Sequence, residues 1–370
     1  MYIMHLFFEV VVFIKYMTGG IFVKAQLILE NGKRFSGEMF GSQKNIAGEV
    51  IFVSGGVIGY QEIINDPAYA GQIVIMTFPL IGNYGINLEQ ENDIPSYLSA
   101  MIVRDKCDEP SNFRCEMTFE EYLEKKDVVG LYGIDTRSLT KIIRDNGVMK
   151  GVIVMGEPDE NEVQKMMAQI ENTDVCMKTT TKQEYTINDG GEKNVAVIDL
   201  GSKDLIVDEL VKKNCKVTVY PVNTEAEKIL AGGYDLLVVS DGPGNPLDVP
   251  ENAVKDILGK IPVIGIGMGH QVIGLAMGGE IEKLKFGHHG GSQPVKNVVD
   301  GDVFITSQNH NYIVKNLPEN ICKFINVNDG TCEGIYDEKM MVQSVQFQPE
   351  AAPGTLNIGF LFERILGEVK

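Results

Sequence analysis

Short apolar runs alternate with polar residues through the first third of the chain, with the period of two residues that is typical of half-buried β-strands. Residues 27–35 read as a strand, an Asn-Gly turn and a second strand, which is the pattern of a tight β-hairpin. Further strands are predicted at 49–53 and 72–78, and a helix is predicted over 135–145. Together these elements predict a β-rich domain over residues 23–155.

The pattern changes beyond residue 155. Residues 156–192 are polar and end in Asn188-Asp189-Gly190-Gly191, a composition typical of a linker. From residue 193 to 370, β-branched apolar runs alternate with helical stretches such as 202–213, and several of the runs end in glycine turns. This alternation predicts an α/β domain with a doubly wound, mostly parallel sheet, whose functional residues lie at the carboxyl ends of the strands.

Composition narrows the function classes. A chain of 370 residues is longer than one hydrophobic core usually grows, which agrees with two domains. The formal net charge of −18 disfavours nucleic acid and anionic membrane surfaces as partners. Six cysteines are scattered without a CxxC pair, which indicates reduced thiols and a cytoplasmic protein.

The apolar segment 1–22 precedes the first predicted strand. It lacks the basic start of a secretory signal, and Glu9 interrupts an apolar run that is too short to span a bilayer. We interpret it as an N-terminal extension, either dispensable or a genuine apolar arm.

Three glycine-containing segments follow predicted strands of the second domain: DGPGNP at 241–246, GIGMGHQ at 265–271 and QFQPEA at 346–351. In this order and spacing they resemble the oxyanion loop, the nucleophile elbow and the His-Pro-Glu segment of triad-type class I glutamine amidotransferases. KFGHHGG at 285–291 and QNHNY at 308–312 resemble one branch of these, the carbamoyl phosphate synthetase small subunit. The first domain agrees through GYQEIINDP at 59–67, FPLIGNYG at 78–85 and GIDTRSLT at 133–140.

The resemblance implies a small-subunit N-terminal domain followed by an amidotransferase domain. It implies glutamine as the substrate and the large synthetase subunit as the partner, which receives ammonia and uses ATP and Mg²⁺. No cofactor is expected in this chain itself. The pathway served, pyrimidine or arginine synthesis, stays open.

The chemistry of the family requires a thiolate at the elbow, an imidazole to move its proton and a carboxylate to orient the imidazole. By resemblance, Gly267 stands at the cysteine position and Gln348 at the histidine position, whereas Glu350 is retained. A glycine has no nucleophile, and a glutamine amide takes up no proton near neutral pH. We therefore expect a disabled glutaminase, and we expect that Gly267→Cys and Gln348→His together would restore it.

Some of the expected substrate-binding positions match the family and others depart from it. The residues that the resemblance places around the substrate are Gly242, Gly244, Met268, Gln271, Asn309, Asn311, Tyr312 and Gly56. Of these, Met268 replaces the usual leucine, Asn311 replaces a common glycine, and Gly56 lies in a loop that is one residue longer than in the family.

Three further residues have simpler interpretations. Asp241 is expected to cap its turn. The adjacent His288 and His289 point to different sides with no third ligand in register, so no metal site is expected.

The preferred hypothesis is a glutaminase-inactive small subunit that supports ammonia-dependent synthesis or regulation. One alternative is an active glutaminase that uses an unrecognised group. The other is a non-enzymatic module that senses glutamine or another metabolite.

Overall fold

The computed structural model describes residues 23–54, 59–90, 95–170, 174–203 and 205–349. The predicted extension, Gly56 and Glu350 lie outside the described residues. The remaining site residues are all described.

The first domain is built on a closed β-barrel. Its strands run in the order β1-β2-β8-β6-β4-β3-β9, and β9 pairs back onto β1. The strands of this domain are β1 (Val23–Leu29), β2 (Arg34–Gly41), β3 (Ile46–Val53), β4 (Gln72–Met76), β5 (Leu80–Ile81), β6 (Ala100–Ile102), β7 (Asp105–Lys106), β8 (Val129–Tyr132) and β9 (Met149–Met155). The predicted hairpin is confirmed, because β1 and β2 pair antiparallel with Leu27 opposite Phe35 and Gly32 has a φ of 81°.

Helices cover the barrel: α1 (Tyr60–Asn65), α2 (Phe119–Lys125) and α3 (Thr136–Asn146). The helix predicted over 135–145 is α3, and it begins where the Asp135 side chain accepts a hydrogen bond from the Ser138 N–H at 3.0 Å. Apolar side chains of α3, including Leu139 and Ile143, pack with the barrel strands into one buried cluster. The domain is rich in β-strands, as its short runs of alternating apolar and polar residues predicted.

The predicted linker contains regular elements: α4 (Glu160–Ile170), α5 (Val175–Thr179) and β10 (Tyr185–Ile187). Helix α4 packs Val163 and Met167 against the outside of the barrel, with Ile28 and Val152. Strand β10 instead joins the sheet of the second domain. The segment is therefore divided between the two domains.

The second domain is a ten-stranded sheet in the order β10-β12-β11-β13-β14-β19-β18-β17-β15-β16. Its remaining strands are β11 (Lys193–Asp199), β12 (Cys215–Pro221), β13 (Leu236–Val239), β14 (Val263–Ile266), β15 (Glu280–Asn297), β16 (Val303–Lys315), β17 (Cys322–Asn326), β18 (Cys332–Asp337) and β19 (Val342–Val345). Strands β12, β11, β13, β14 and β19 are parallel to their neighbours in that run, and β18, β17, β15 and β16 extend the sheet antiparallel.

Both faces of the parallel part are covered. The helices are α6 (Leu205–Lys212), α7 (Ala226–Ala231), α8 (Asn252–Lys255) and α9 (Met268–Ala276). Helix α6 packs in one buried cluster with Val195 and Val217, whereas α7, α8 and α9 pack in the other with Ala196 and Val239. This arrangement confirms the predicted doubly wound α/β fold. Among the described residues, no helix is long and apolar enough to cross a membrane.

The two domains meet along β15. The Ser54 N–H donates to the carbonyl of His289 at 3.3 Å, and the Val148 N–H donates to the carbonyl of Lys285 at 2.7 Å. An ion pair joins Lys283 and Glu49 at 2.7 Å. These contacts bring the barrel domain next to the carboxyl ends of β13 and β14.

Candidate functional site

The elbow lies where β14 ends and α9 begins. Gly267 has φ 55° and ψ −115°, a conformation that costs a non-glycine residue strain. A Cβ built at this position would overlap the carboxylate of Asp241. Glycine at the nucleophile position therefore removes strain and also makes room for a charged side chain.

Asp241 holds the two backbone donors of the oxyanion loop and elbow. Its Oδ1 accepts hydrogen bonds from the Gly242 N–H at 2.8 Å and from the Met268 N–H at 2.9 Å. In an amidotransferase, backbone N–H groups at these positions must face the oxyanion of the reacting amide. In this chain both N–H groups donate to a carboxylate oxygen of the chain itself. The sequence analysis expected Asp241 only to cap its turn and did not predict its bond to Met268. The signal in the sequence was an acidic residue directly before the loop glycine Gly242.

The surroundings of Asp241 are charged and buried. Burial raises the pKa of Asp241 to about 6, the Met268 N–H acts to lower it, and the nearby Asp66 carboxylate raises it further. Asp66 pairs with Lys203 at 2.8 Å, and both side chains are buried. This ion pair joins the barrel domain to the residues just before α6 and places a cation beside Asp66.

Gln348 completes the cluster at the histidine position. Its Nε2 donates to Asp241 Oδ2 at 3.2 Å and lies 3.5 Å from Asp66 Oδ2. Its Oε1 is buried and has no hydrogen-bond partner among the described residues. Asp241 thus contacts Gln348 and also fills the space next to Gly267, so it separates the nucleophile position from the base position.

Neighbouring groups do not supply a replacement pair. The Cys176 thiol donates to the carbonyl of Leu200 at 3.1 Å, and burial raises its pKa to about 12. His270 faces Ser344 across a 2.9 Å hydrogen bond, and burial lowers its pKa to about 3. Neither residue offers a thiolate or an active base at the elbow.

A cavity of about 800 Å³ opens beside this cluster, between the barrel and the second domain. Its size fits a small metabolite. The described residues that the sequence placed around glutamine all line it: Gly242, Gly244, Met268, Gln271, Asn309, Asn311 and Tyr312. The structure therefore brings these positions together, and their contact with glutamine stays a prediction.

Two of the lining amides have structural partners. Asn309 donates to the carbonyl of Ala68 at 3.0 Å, and Asn311 donates to Glu49 at 2.7 Å. Their side-chain oxygens flank the His289 ring, 2.7 Å from Nδ1 and 3.0 Å from Nε2. Both asparagines thereby tie β16 to the barrel domain and to β15.

His288 points away from His289, as predicted, but it is not isolated. Its Nδ1 lies 3.2 Å from His310 Nε2 and 3.3 Å from Glu333 Oε1. The expectation that no third group joins these histidines is wrong, because the pairing of β15 with β16 and the position of β18 bring the three side chains together.

The second domain is doubly wound, with a glycine loop and an elbow at its strand ends, and a barrel domain precedes it. These features are those of a class I glutamine amidotransferase with an added N-terminal domain. The sequence models of two families agree. Glutamine amidotransferase class-I matches residues 196–367, and the CPSase domain of the carbamoyl-phosphate synthase small chain matches residues 27–153.

The chain belongs to the carbamoyl phosphate synthase small chain family. It is 47% identical to the small chain of Clostridium perfringens over 93% of this chain and 99% of the relative. It is 42% identical to the pyrimidine-specific small chain of Bacillus subtilis over 93% of this chain and 95% of the relative. A solved glutamine amidotransferase from Thermotoga maritima covers 48% of this chain and 83% of its own, with 19% identity and a TM-score of 0.36, which is too distant to inform the fold.

Proposed function

We propose that this small chain does not hydrolyse glutamine and that it supports carbamoyl phosphate synthesis from free ammonia, as the partner of a large synthetase chain. The observation that carries the proposal is the Asp241 carboxylate, which accepts both N–H groups of the oxyanion site. A tetrahedral intermediate would have to displace a buried negative charge before it could form.

The rest of the machinery agrees with this proposal. Gly267 provides no nucleophile, and Gln348 provides an amide where a base is required. Amide hydrolysis needs a nucleophile, a proton carrier and an oxyanion site together. Here the nucleophile and the proton carrier are missing, and Asp241 occupies the oxyanion site.

The role as a partner rests on the relatives and on the preserved scaffold. The relatives are named small chains, which supports a large chain as partner, and ATP with Mg²⁺ would act on that large chain. The contacts between the domains, such as Lys203 with Asp66, remain complete. The pyrimidine-specific relative favours pyrimidine synthesis over arginine synthesis as the pathway. A cytoplasmic location agrees with these roles.

The test is reconstitution of the full chain with a cognate large chain. We expect a stable complex that makes carbamoyl phosphate from ammonium, makes none from glutamine, and releases no glutamate above background. The matched control is the same large chain with an ordinary small chain that carries the cysteine and histidine. Glutamate release within tenfold of that control would contradict the proposal and favour an unrecognised catalytic group.

The cavity favours a second candidate, a module that senses glutamine or a related metabolite without turnover. Titration calorimetry with glutamine separates the two. Because Asp241 already occupies the oxyanion position, we expect glutamine to bind only weakly. Tight binding together with failure to form a complex at micromolar concentrations would support the sensor instead.

A further inference from the structure

A buried cluster of ligand-type side chains lies in the antiparallel part of the large sheet, away from the elbow. His288 is on β15, Gln308 and His310 are on β16, and Glu333 is on β18. Register pairing sets His288 directly opposite His310. All four side chains are buried, and Glu333 is fully excluded from solvent. A buried carboxylate needs a positive partner or strong hydrogen bonds.

Hydrogen bonding fixes the protonation of His310. Its Nδ1 lies 2.8 Å from the carbonyl of Tyr312, and a carbonyl can only accept, so the ring proton is on Nδ1. Complete burial disfavours a second proton on the ring. The Nε2 atom of His310 therefore presents a lone pair to the cluster.

Gln308 is oriented in the same way. Its Nε2 donates to Glu333 Oε2 at 2.9 Å and to Thr306 Oγ1 at 3.1 Å, which turns Oε1 towards His310. Gln308 Oε1 and His310 Nε2 are then 2.9 Å apart, and both are acceptors. Two lone pairs at this distance repel unless a cation lies between or beside them. Burial acts to lower the pKa of His288, but hydrogen bonds with Asp329 and Glu333 raise it to about 9, so the protonated His288 ring is one such cation and a metal ion is the other.

The remaining ligand atoms face the same point. His288 Nε2 is 2.8 Å from Asp329 Oδ2, so its other nitrogen, Nδ1, points into the cluster. The Asn326 amide nitrogen also reaches this point, 3.2 Å from Glu333 Oε1 and 3.4 Å from His288 Nδ1, and a bound metal would replace these two contacts. The ligand atoms of His288, His310 and Glu333 lie within 4.8 Å of one another. Two of their separations, 3.2 and 3.3 Å, match the roughly 3.3 Å edge of a tetrahedron with metal–ligand bonds of about 2.0–2.1 Å.

We propose that His288 Nδ1, His310 Nε2, Glu333 Oε1 and Gln308 Oε1 form a structural site for a divalent transition metal of the zinc type. Two imidazoles and two oxygens select zinc over magnesium, which prefers oxygen ligands alone. Each histidine has an outer partner, Asp329 for His288 and the Tyr312 carbonyl for His310. Gln308 is held by its bonds to Thr306 and to Glu333. The site uses no residue of the elbow.

Such a metal would stabilise the wall of the cavity. The carbonyl of Tyr312 that accepts from His310 also accepts from Gln271 of α9 at 2.8 Å. The Glu333 carbonyl accepts from the Gln346 N–H at 2.8 Å. Fixing β15, β16 and β18 at one point would therefore hold α9, which follows the elbow, and the segment that carries Gln348.

The test uses the full chain, stripped with a chelator and then titrated with Zn²⁺ and Co²⁺, with Mg²⁺ as a negative control. We expect one zinc ion per chain by elemental analysis, a higher Tm with zinc, and the intense visible absorption of tetrahedral Co²⁺. The isosteric Glu333→Gln variant should lower zinc affinity by about 100-fold or more, and Asp329→Asn should lower it by about 10- to 100-fold.

Two controls separate this site from other ligands. His289→Gln changes the neighbouring buried histidine, which faces Asn309 and Asn311, and should leave zinc affinity unchanged. Cys322 and Cys332 have sulfur atoms 2.8 Å apart and could bind zinc themselves, so their double change to alanine should also leave it unchanged. Loss of zinc in the cysteine variant, retention in Glu333→Gln, or no tetrahedral Co²⁺ spectrum in the unmodified chain would each overturn the proposal.

Discussion

The buried polar groups of the large sheet have different hydrogen-bond partners in its parallel and antiparallel parts. At the carboxyl ends of β13 and β14, Asp241 takes both backbone donors, while the Oε1 atom of Gln348 has no partner among the described residues. In the antiparallel part, both ring nitrogens of His288 and of His310 have polar neighbours. In one part a single carboxylate takes two backbone donors, whereas in the other the buried side chains of three strands contact one another.

This difference separates catalysis from architecture. The family reaction needs donors that stay available until charge develops on the substrate. Here both donors are bound to a carboxylate of the chain itself, which is the basis of the proposal that the chain does not hydrolyse glutamine. The domain contacts along β15 involve no elbow residue, so under our proposal they would support a partner chain without glutamine hydrolysis.

The largest expected effect is on glutamate release, when the Asp241 carboxylate is removed from the elbow. Because a Cβ at 267 would overlap Asp241, the double variant Gly267→Cys/Gln348→His should release no glutamate above background, which corrects the expectation from sequence. Adding Asp241→Ala should raise glutamate release by about 10²-fold or more, since loss of one oxyanion donor alone costs about 10²–10³. Asp241→Ala alone is the control and should be inactive. An active double variant with Asp241 intact would show that this carboxylate moves aside.

The buried ion pair beside the elbow should contribute more to the free energy of unfolding than an exposed ion pair does. Lys203→Met leaves the Asp66 carboxylate buried without its cation, and we expect a loss of about 3–5 kcal/mol in the free energy of unfolding. The control is Lys315→Met, which removes an exposed pair with Glu282 and should cost about 0–1 kcal/mol. Urea denaturation measures both. Equal losses in the two variants would mean that water reaches the Asp66 pair.

The charge of Asp241 should make stability depend on pH. Its folded-state pKa of about 6 lies above the unfolded value of about 3.9, so stability falls as pH rises from about 4 to 6 and stays lower above that range. Asp241→Asn lacks this loss and should be more stable at pH 8 by about 2–3 kcal/mol, with little difference at pH 4. The exposed Asp256→Asn variant controls for net charge. A constant difference across this pH range would exclude titration of Asp241 as the cause.

The smallest effect tests the contact between Gly267 and Asp241. Gly267→Ala should cost about 1–3 kcal/mol, because it combines a positive φ with overlap on the carboxylate. Gly301→Ala is the control, with a φ of 84° and no atom within 4 Å of the new Cβ. In an Asp241→Ala background, the cost at 267 should fall towards that at 301. Thermal denaturation of the four variants gives the coupling energy, and additive costs would contradict a direct contact.

The sequence by itself determined the fold class, and its motifs led to the prediction that Gly267 and Gln348 stand at catalytic positions. Strand periodicity, the Asn-Gly turn at 31–32 and glycine turns after apolar runs are local signals, so they predicted the hairpin and the doubly wound domain correctly. The replacements at Gly267 and Gln348 are also visible in the sequence, because the surrounding motifs fix their positions.

Only the tertiary structure decided what fills the elbow and what surrounds His288. Asp241 joins the N–H groups of Gly242 and Met268, which belong to different strand ends, and such a contact exists only once β13 and β14 lie side by side. The approach of His310 and Glu333 to His288 depends on strand register over three elements of the sheet. Register is set by packing across the whole sheet, and a one-residue slip would turn each of these side chains to the opposite face.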